Sequence, residues 1–158
     1  MIRVCAWCQQ VLGGIAAAET PITHGICDPC AERWMADSLQ EPLERLSGPV
    51  MMLDGSGRIL DANRRVSDVF NRPVLSGEFF GDAAACPNAS LPGGCGQTPD
   101  CTRCESRAVF ERTARTGLAQ HTVRAGIAGD ARKVMTLTAE RVGTAVLLRI
   151  DDVENGSE

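Results

Sequence analysis

Tyrosine is absent from this 158-residue chain, aromatic residues make up only 4% of it, and it carries two histidines. Rings able to stack on a flavin are therefore scarce. No C-x-x-C-H run is present for covalent haem, and His121 falls on an expected strand, where an outward histidine is the ordinary case. An excess of basic residues is missing too: 16 Lys and Arg against 20 Asp and Glu leave a net charge of −4. Nothing electrostatic then favours nucleic acid or an anionic membrane as partner. No apolar run reaches the length of a spanning segment. A phosphate-binding glycine loop, a Ser/His/Asp arrangement and spaced paired carboxylates are all lacking, which leaves little for an enzyme beyond thiol chemistry. The chain reaches Cys5 and Cys8 before an apolar stretch of signal-peptide length can form, so a cytoplasmic protein is expected.

Cysteine is what the chain has instead. Its eight cysteines fall into two sets of four, Cys5, Cys8, Cys27 and Cys30, then Cys86, Cys95, Cys101 and Cys104. Three of the close pairs are C-x-x-C, which without an export signal reads as metal ligation before it reads as a disulfide framework. The first set has the spacing C-x2-C-x18-C-x2-C of a four-sulfur zinc site, in which two knuckles meet. A segment of this size with few large apolar groups buries too little to fold alone, and a structural zinc supplies the missing free energy. His24 is read as a turn residue, since four sulfurs already complete the shell, and Trp7 as packing across the hairpin.

The second set lies in a loop broken by Pro87, Pro92 and Pro99 and by Gly93, Gly94 and Gly96. Such a loop is poor in apolar residues of its own, so a sulfur-bound ligand is the expected source of its order. Four thiolates suit tetrahedral zinc or an iron–sulfur cluster, and the spacing x8, x5, x2 matches neither common ferredoxin run; a metal-free thiol switch is a further possibility. Arg103, Arg107, Arg112 and Arg115 follow closely and either offset the charge of such a centre or form a solvated face.

Between the two sets, Met35, Leu39, Leu43 and Leu46 recur at helical spacing, with Pro42 placed to kink or split the helix. This stripe packs on its own protein or serves as a dimerising or partner-binding face. Ser47-Gly48-Pro49 ends it. Pro49 to Asp54 and Arg58 to Asn63 read as a hairpin about Gly55-Ser56-Gly57. Arg64 to Phe70 reads as a helix with Val66, Val69 and Phe70 inward. Glu105 to Thr116 is a firmer one, with Val109, Phe110 and Thr113 on one side and Gly117 as its stop. Strands are expected over 119–124, 133–141 and 144–151, the first two separated by a turn-rich 126–130.

Two resemblances add to this reading. Cys5-Ala-Trp-Cys8 with Thr23-His-Gly-Ile-Cys27-Asp-Pro-Cys30 resembles a short cysteine module found beside bacterial signalling domains, although the stretch 13–19 lacks the aromatics usual there. The hairpin Pro49 to Asn63 with its trailing asparagine, and the order of elements after it, resemble the PAS fold; the cysteine loop through Arg107 resembles a cysteine-bearing subset of PAS domains in bacterial signalling proteins. The resemblance implies an α+β fold: a five-stranded antiparallel sheet with helices on one face enclosing a cavity. A light-sensing flavin PAS domain would carry an asparagine–cysteine–arginine–phenylalanine run, which is missing here.

The expected organisation is a zinc-knuckle segment at 1–30, a connecting helix at 31–47, a PAS-like sensor domain at 48–153 and a polar tail at 154–158. Cys5, Cys8, Cys27 and Cys30 would hold zinc; Cys86, Cys95, Cys101 and Cys104 would hold zinc or an iron–sulfur cluster. The expected function is a non-catalytic, cytoplasmic sensing module that responds to redox state or a small ligand. It would act through a partner such as a histidine kinase or response regulator, with a homodimer also open. The alternatives are a structural adaptor with two zinc staples and a helical binding surface, and a thiol-redox enzyme.

Overall fold

A computed structural model describes residues 1–15, 20–36, 40–127 and 130–155. The strand Val50–Leu53 (β4) is buried at every residue. Successive strand side chains point to opposite faces, so full burial requires that both faces of its sheet be covered. That is the architecture: one sheet, covered on one side by the helices that lie between its second and third strands in sequence and on the other by the segment that precedes it.

The main sheet is antiparallel and five-stranded. It comprises β4, Ile59–Ala62 (β5), Gln120–Ile127 (β6), Asp130–Val142 (β7) and Ala145–Asn155 (β8), in the spatial order β5-β4-β8-β7-β6. The α+β class with five antiparallel strands stands as expected. The last three strands run longer than their apolar patterns suggest because β7 and β8 pair along most of their lengths.

On the inner face, Met51, Leu53, Met135, Leu137, Leu148 and Ile150 form the larger core with Arg64–Phe70 (α3), Phe80–Ala83 (α4) and Glu105–Thr116 (α5). Both longer helices keep their expected bounds. Val109, Phe110 and Thr113 of α5 are buried, and Gly117 closes that helix in the left-handed conformation. In α3 only Val66 is fully inward; Val69, expected to face in, is exposed, because the seven-residue helix presents a narrow stripe. The turn of the first hairpin lies over α5. Gly57 adopts φ +88°, and a Cβ there would come within 2.8 Å of the Phe110 ring, so this position needs glycine on both counts. Asp54 shapes the turn by accepting hydrogen bonds from the Ser56 amide and hydroxyl and from the Arg58 amide.

On the outer face, Val50, Met52, Val142, Ala145 and Leu147 meet Ile26, Ala31, Leu43 and Leu46 in a second core. The preceding segment has its own small sheet, Ile2–Cys5 (β1), Val11–Gly14 (β2) and Ile22–Gly25 (β3), ordered β2-β1-β3, with β1 and β3 parallel. It continues into the helices Asp28–Ala36 (α1) and Gln40–Arg45 (α2), with Pro42 inside the latter; the stretch 37–39 between them lies outside the described residues. Leu43 and Leu46 pack on the protein's own sheet. Leu39 and the Met35 side chain lie outside the described residues, as do 16–19 of the inter-knuckle stretch and 128–129 of the expected turn. Trp7 packs against the second core with the Arg45 guanidinium 4.5 Å from its ring centre, where a hairpin contact was expected.

Asn63 stitches the two layers. It is buried; its side-chain oxygen accepts from the Val50 amide, and its side-chain nitrogen donates to the carbonyls of Leu43 and Gly48. One asparagine thus joins the connecting helix, the linker and the first strand of the sheet. Arg3 with Glu140 at 2.6 Å, and the Gly143 amide with Asp28 at 3.2 Å, tie the outer layer at its rim.

Candidate functional site

The two cysteine sets occupy opposite faces of the sheet. In the first, β1 ends at Cys5, and a tight turn with Gln9 at φ 62° brings Cys8 back toward it. The parallel pairing of β3 sets Gly25 beside Cys5, and the Ala6 amide donates to the Gly25 carbonyl at 2.9 Å, so the second knuckle arrives next to the first. Cys27 and Cys30 follow at the start of α1.

The four sulfurs all lie within 4.8 Å of one another, and those of Cys8 and Cys27 are 3.6 Å apart. Zinc–sulfur bonds near 2.3 Å in a tetrahedron space the sulfurs by about 3.8 Å, so this cluster is of the size for one metal ion. Its protonation is uneven. Burial alone would raise the Cys5 thiol, but the backbone amides of Cys8, Cys27 and Trp7 outweigh it and bring the group down to about 6. Cys30 is pushed up to about 12 by burial and by the neighbouring sulfurs of Cys27, Cys5 and Cys8. Four crowded thiols therefore resist losing their last proton, and a divalent cation among them removes that resistance. His24 lies in β3 opposite Val4 and is not a member of the cluster.

The second set sits between α4 and α5. The chain leaves α4, passes through two short 3-10 turns at Pro87–Ser90 and Pro99–Arg103, and enters α5 at Glu105, with Cys104 as the residue capping the helix. Cys86, Cys95, Cys101 and Cys104 all line one small enclosed cavity, whose apolar walls include Phe80, Phe110 and Ile127. The sequence reading placed these four together, and the fold brings them to a common space. It does not draw them to a point: among the described residues, the ligand group closing to 4.8 Å is the first set, not this one.

The cavity is closely fitted around its sulfurs. Cys95 lies against α4 at Gly81, where a Cβ would come within 2.7 Å of its sulfur. Burial raises the Cys95 thiol, while the Gly81 amide and the Arg107 charge work the other way. The Cys101 sulfur receives the Gly96 amide at 3.3 Å and lies 3.1 Å from the Thr98 hydroxyl. Burial opposes its ionisation, yet Thr98, the Gly96 amide and the Arg107 charge hold that thiol below its ordinary range.

Of the four arginines that follow the loop, the fold selects one. Arg103 pairs with Asp100 at the surface, and Arg112 and Arg115 are exposed. Arg107 lines the cavity; its Nε pairs with Glu111 at 2.6 Å, and its Nη1 is buried without a hydrogen-bond partner. A side chain at Gly96 would collide with this guanidinium. Gly81 and Thr98 were not foreseen as site residues; the only sequence signal for Gly81 was a glycine just inside a short helix, next to Phe80.

The start of α5 is bolted to the sheet. Glu105 accepts the Gly126 amide at 2.6 Å, and the Ser106 hydroxyl donates to the Gly126 carbonyl at 2.9 Å. Whatever moves Cys104 therefore pulls on the end of β6.

No protein-family model matches the sequence, and no curated protein matches it. Among solved structures, the chain is similar to the photoactive yellow protein domain from the sensor histidine kinase Ppr of Rhodospirillum centenum, at 15% identity and a TM-score of 0.42. That match covers 72% of this chain and 92% of the other. It is also similar to the PAS domain of BvgS from Bordetella pertussis, at 13% identity and a TM-score of 0.44, over 76% of this chain and 85% of that one. The α+β class rests on the sheet and helices of the chain itself. Among the described residues, no helix is long and apolar enough to cross a membrane.

Proposed function

We propose that this protein is a non-catalytic, cytoplasmic sensing module of a signalling system. In this reading a PAS-like domain over 48–153 carries a sulfur-ligated centre in its helix-side cavity, and the segment 1–30 with its connecting helix 31–47 is a zinc-held layer on the other side of the sheet. The observation that carries the reading is the convergence of Cys86, Cys95, Cys101 and Cys104 on one enclosed cavity against the inner face of the sheet. A centre bound there would supply a state, loaded or empty, that differs in charge and in the number of cross-links holding the loop.

The chain's own residues give that state a path outward. The loop 86–104 has few apolar contacts of its own, so its order depends on what its sulfurs hold. Cys104 caps α5, and Glu105 and Ser106 fasten the first turn of that helix to Gly126 on β6. A change in the loop therefore reaches the sheet through hydrogen-bonded elements, and a signalling partner such as a histidine kinase or response regulator would read it there. The adaptor reading loses ground, because Leu43 and Leu46 of its binding stripe are covered by the protein's own sheet.

Hydrogen exchange on the full chain, prepared without oxygen and compared before and after removal of the centre by a chelator, tests the reading. Protection is expected to fall over 86–127 in the stripped protein. Identical exchange in the two states would sink the proposal that the cavity senses anything.

A further inference from the structure

We infer that the groove between the small N-terminal sheet and the outer face of the main sheet binds a small organic anion, a carboxylate or phosphate head carrying a short apolar part. The groove lies on the face opposite the sulfur-lined cavity, and nothing in it depends on what those sulfurs hold.

The space forms where the two sheets face each other. Gly13, Arg3 and Thr23 are paired across β2, β1 and β3, and residues directly opposite in neighbouring strands share a face. That row lines the groove together with Thr138 and Glu140 of β7 and Arg149 of β8. Its volume is about 500 Å³, within the range of small-molecule sites. Gly13 helps to keep it open, since a Cβ there would meet nothing within 4 Å. Past Thr138, Glu140 and Arg149 the lining continues into a cleft walled by Leu46, Val50 and Leu147, which suits the carbon portion of a ligand.

The charges select an anion. Two arginines, Arg3 and Arg149, face one carboxylate, Glu140, and both histidines of the chain, His24 and His121, line the same groove. Glu140 engages one nitrogen of Arg3 at 2.6 Å and leaves that side chain 32% exposed, while the Arg3 Nε has no hydrogen-bond partner among the described residues. The protein's own acceptors therefore do not saturate this guanidinium, and a carboxylate or phosphate is the group that matches its geometry. Asp151 holds Arg149 through Nε at 2.7 Å and fixes the second cation at the groove.

The backbone is strained at the same place. Between Gln120 and Val123 the pairing of β6 with β7 slips, and Thr122 there adopts φ 48°, which a β-branched residue rarely takes. The Thr122 amide donates to the Thr138 hydroxyl at 3.1 Å, and that hydroxyl donates to Asp151 at 2.7 Å. A bulge re-aims the side chains it carries; this one carries His121 and Thr122, and both line the groove. Regular pairing would avoid the strain, and its presence beside two arginines marks a site rather than a plain strand edge.

Calorimetric titration of the full zinc-loaded chain with butyl phosphate, pentanoate and uncharged 1-butanol is the test. At least one anion is expected to bind at a single site with a Kd of about 1 mM or tighter, and 1-butanol is not. Binding of only one anion supports the site and names the head group it takes. No binding of either anion at about 10 mM, or equal binding of 1-butanol, would overturn the proposal.

Two substitutions of opposite sign separate recognition from folding. Gly13→Glu places a carboxylate in the groove and should weaken the anion about tenfold or more, with zinc content and thermal midpoint close to native. Glu140→Gln removes the carboxylate that competes for Arg3 and should tighten binding about threefold or more. Affinity that moves the same way in both variants, or in neither, would overturn the site.

Discussion

The two faces of the sheet solve the same problem with different materials. On the outer face, cysteines are presented by regular elements: a strand end, a tight turn, a parallel neighbour and a helix start, all held by backbone hydrogen bonds. On the inner face, they are presented by a glycine- and proline-rich loop strung between two helices. The first arrangement closes its sulfurs to a point and the second spreads them around a cavity. The first quartet lies in the layer that covers the outer face, whereas the loop of the second leads directly into α5.

The largest expected effect breaks the outer quartet. Cys5→Ser combined with Cys27→Ser, or a strong chelator, should remove metal-linked folding energy on the order of 10 kcal/mol from residues 1–47. Limited proteolysis should then cut within that segment, and a hydrophobic dye should bind the uncovered Met52 and Leu147 face. If the segment stays protected, the zinc-held layer is wrong.

Asn63→Leu acts at the seam between the layers. It deletes two buried hydrogen bonds and one partly buried one and leaves the Val50 amide and the Gly48 carbonyl without their Asn63 partner, while the Leu43 carbonyl keeps the Leu46 amide, at a cost of about 2–4 kcal/mol, measurable as a lowered urea midpoint. Both layers should loosen together; loss confined to one would show that they fold independently.

Gly57→Ala touches the inner face alone. The strained φ and the Phe110 ring together predict about 1–3 kcal/mol of destabilisation, with zinc binding at the outer quartet unchanged. A thermal scan with and without chelator separates the two.

The smallest effect belongs to the outer rim. Glu140→Gln removes the partner of Arg3, a partly exposed pair, and should cost about 1 kcal/mol or less. A loss larger than that of Gly57→Ala would mean that the rim, and not the second core, holds the outer layer on.

Much of the molecule could be read from its residues, for identifiable reasons. Helices α3 and α5 carry their own stops, Asn71 and Gly117, both in left-handed conformations, so their bounds followed from local chemistry. That Cys5, Cys8, Cys27 and Cys30 come together followed from spacing, because two C-x-x-C knuckles leave the chain few ways to meet. The docking of the first segment on the sheet did not follow, although Val50-Met-Met-Leu53, apolar on both faces, was its trace. A strand with no polar side needs a cover on each side, and sequence periodicity does not say which segment supplies the second one. Arg107 could not be singled out from Arg103, Arg112 and Arg115 either, since on an amphipathic helix only the direction of the neighbouring wall distinguishes them.

By itself, the order of residues determined the two groups of four cysteines, the hairpin and the helices with their ends, because each depends on groups only a few positions apart. Tertiary structure alone decided that the quartets lie on opposite sides of one sheet, how far apart they stand, and which guanidinium faces the inner cavity. Those are distances between segments remote in the chain, set by how two apolar cores close on β4 and β8, and no local pattern encodes them.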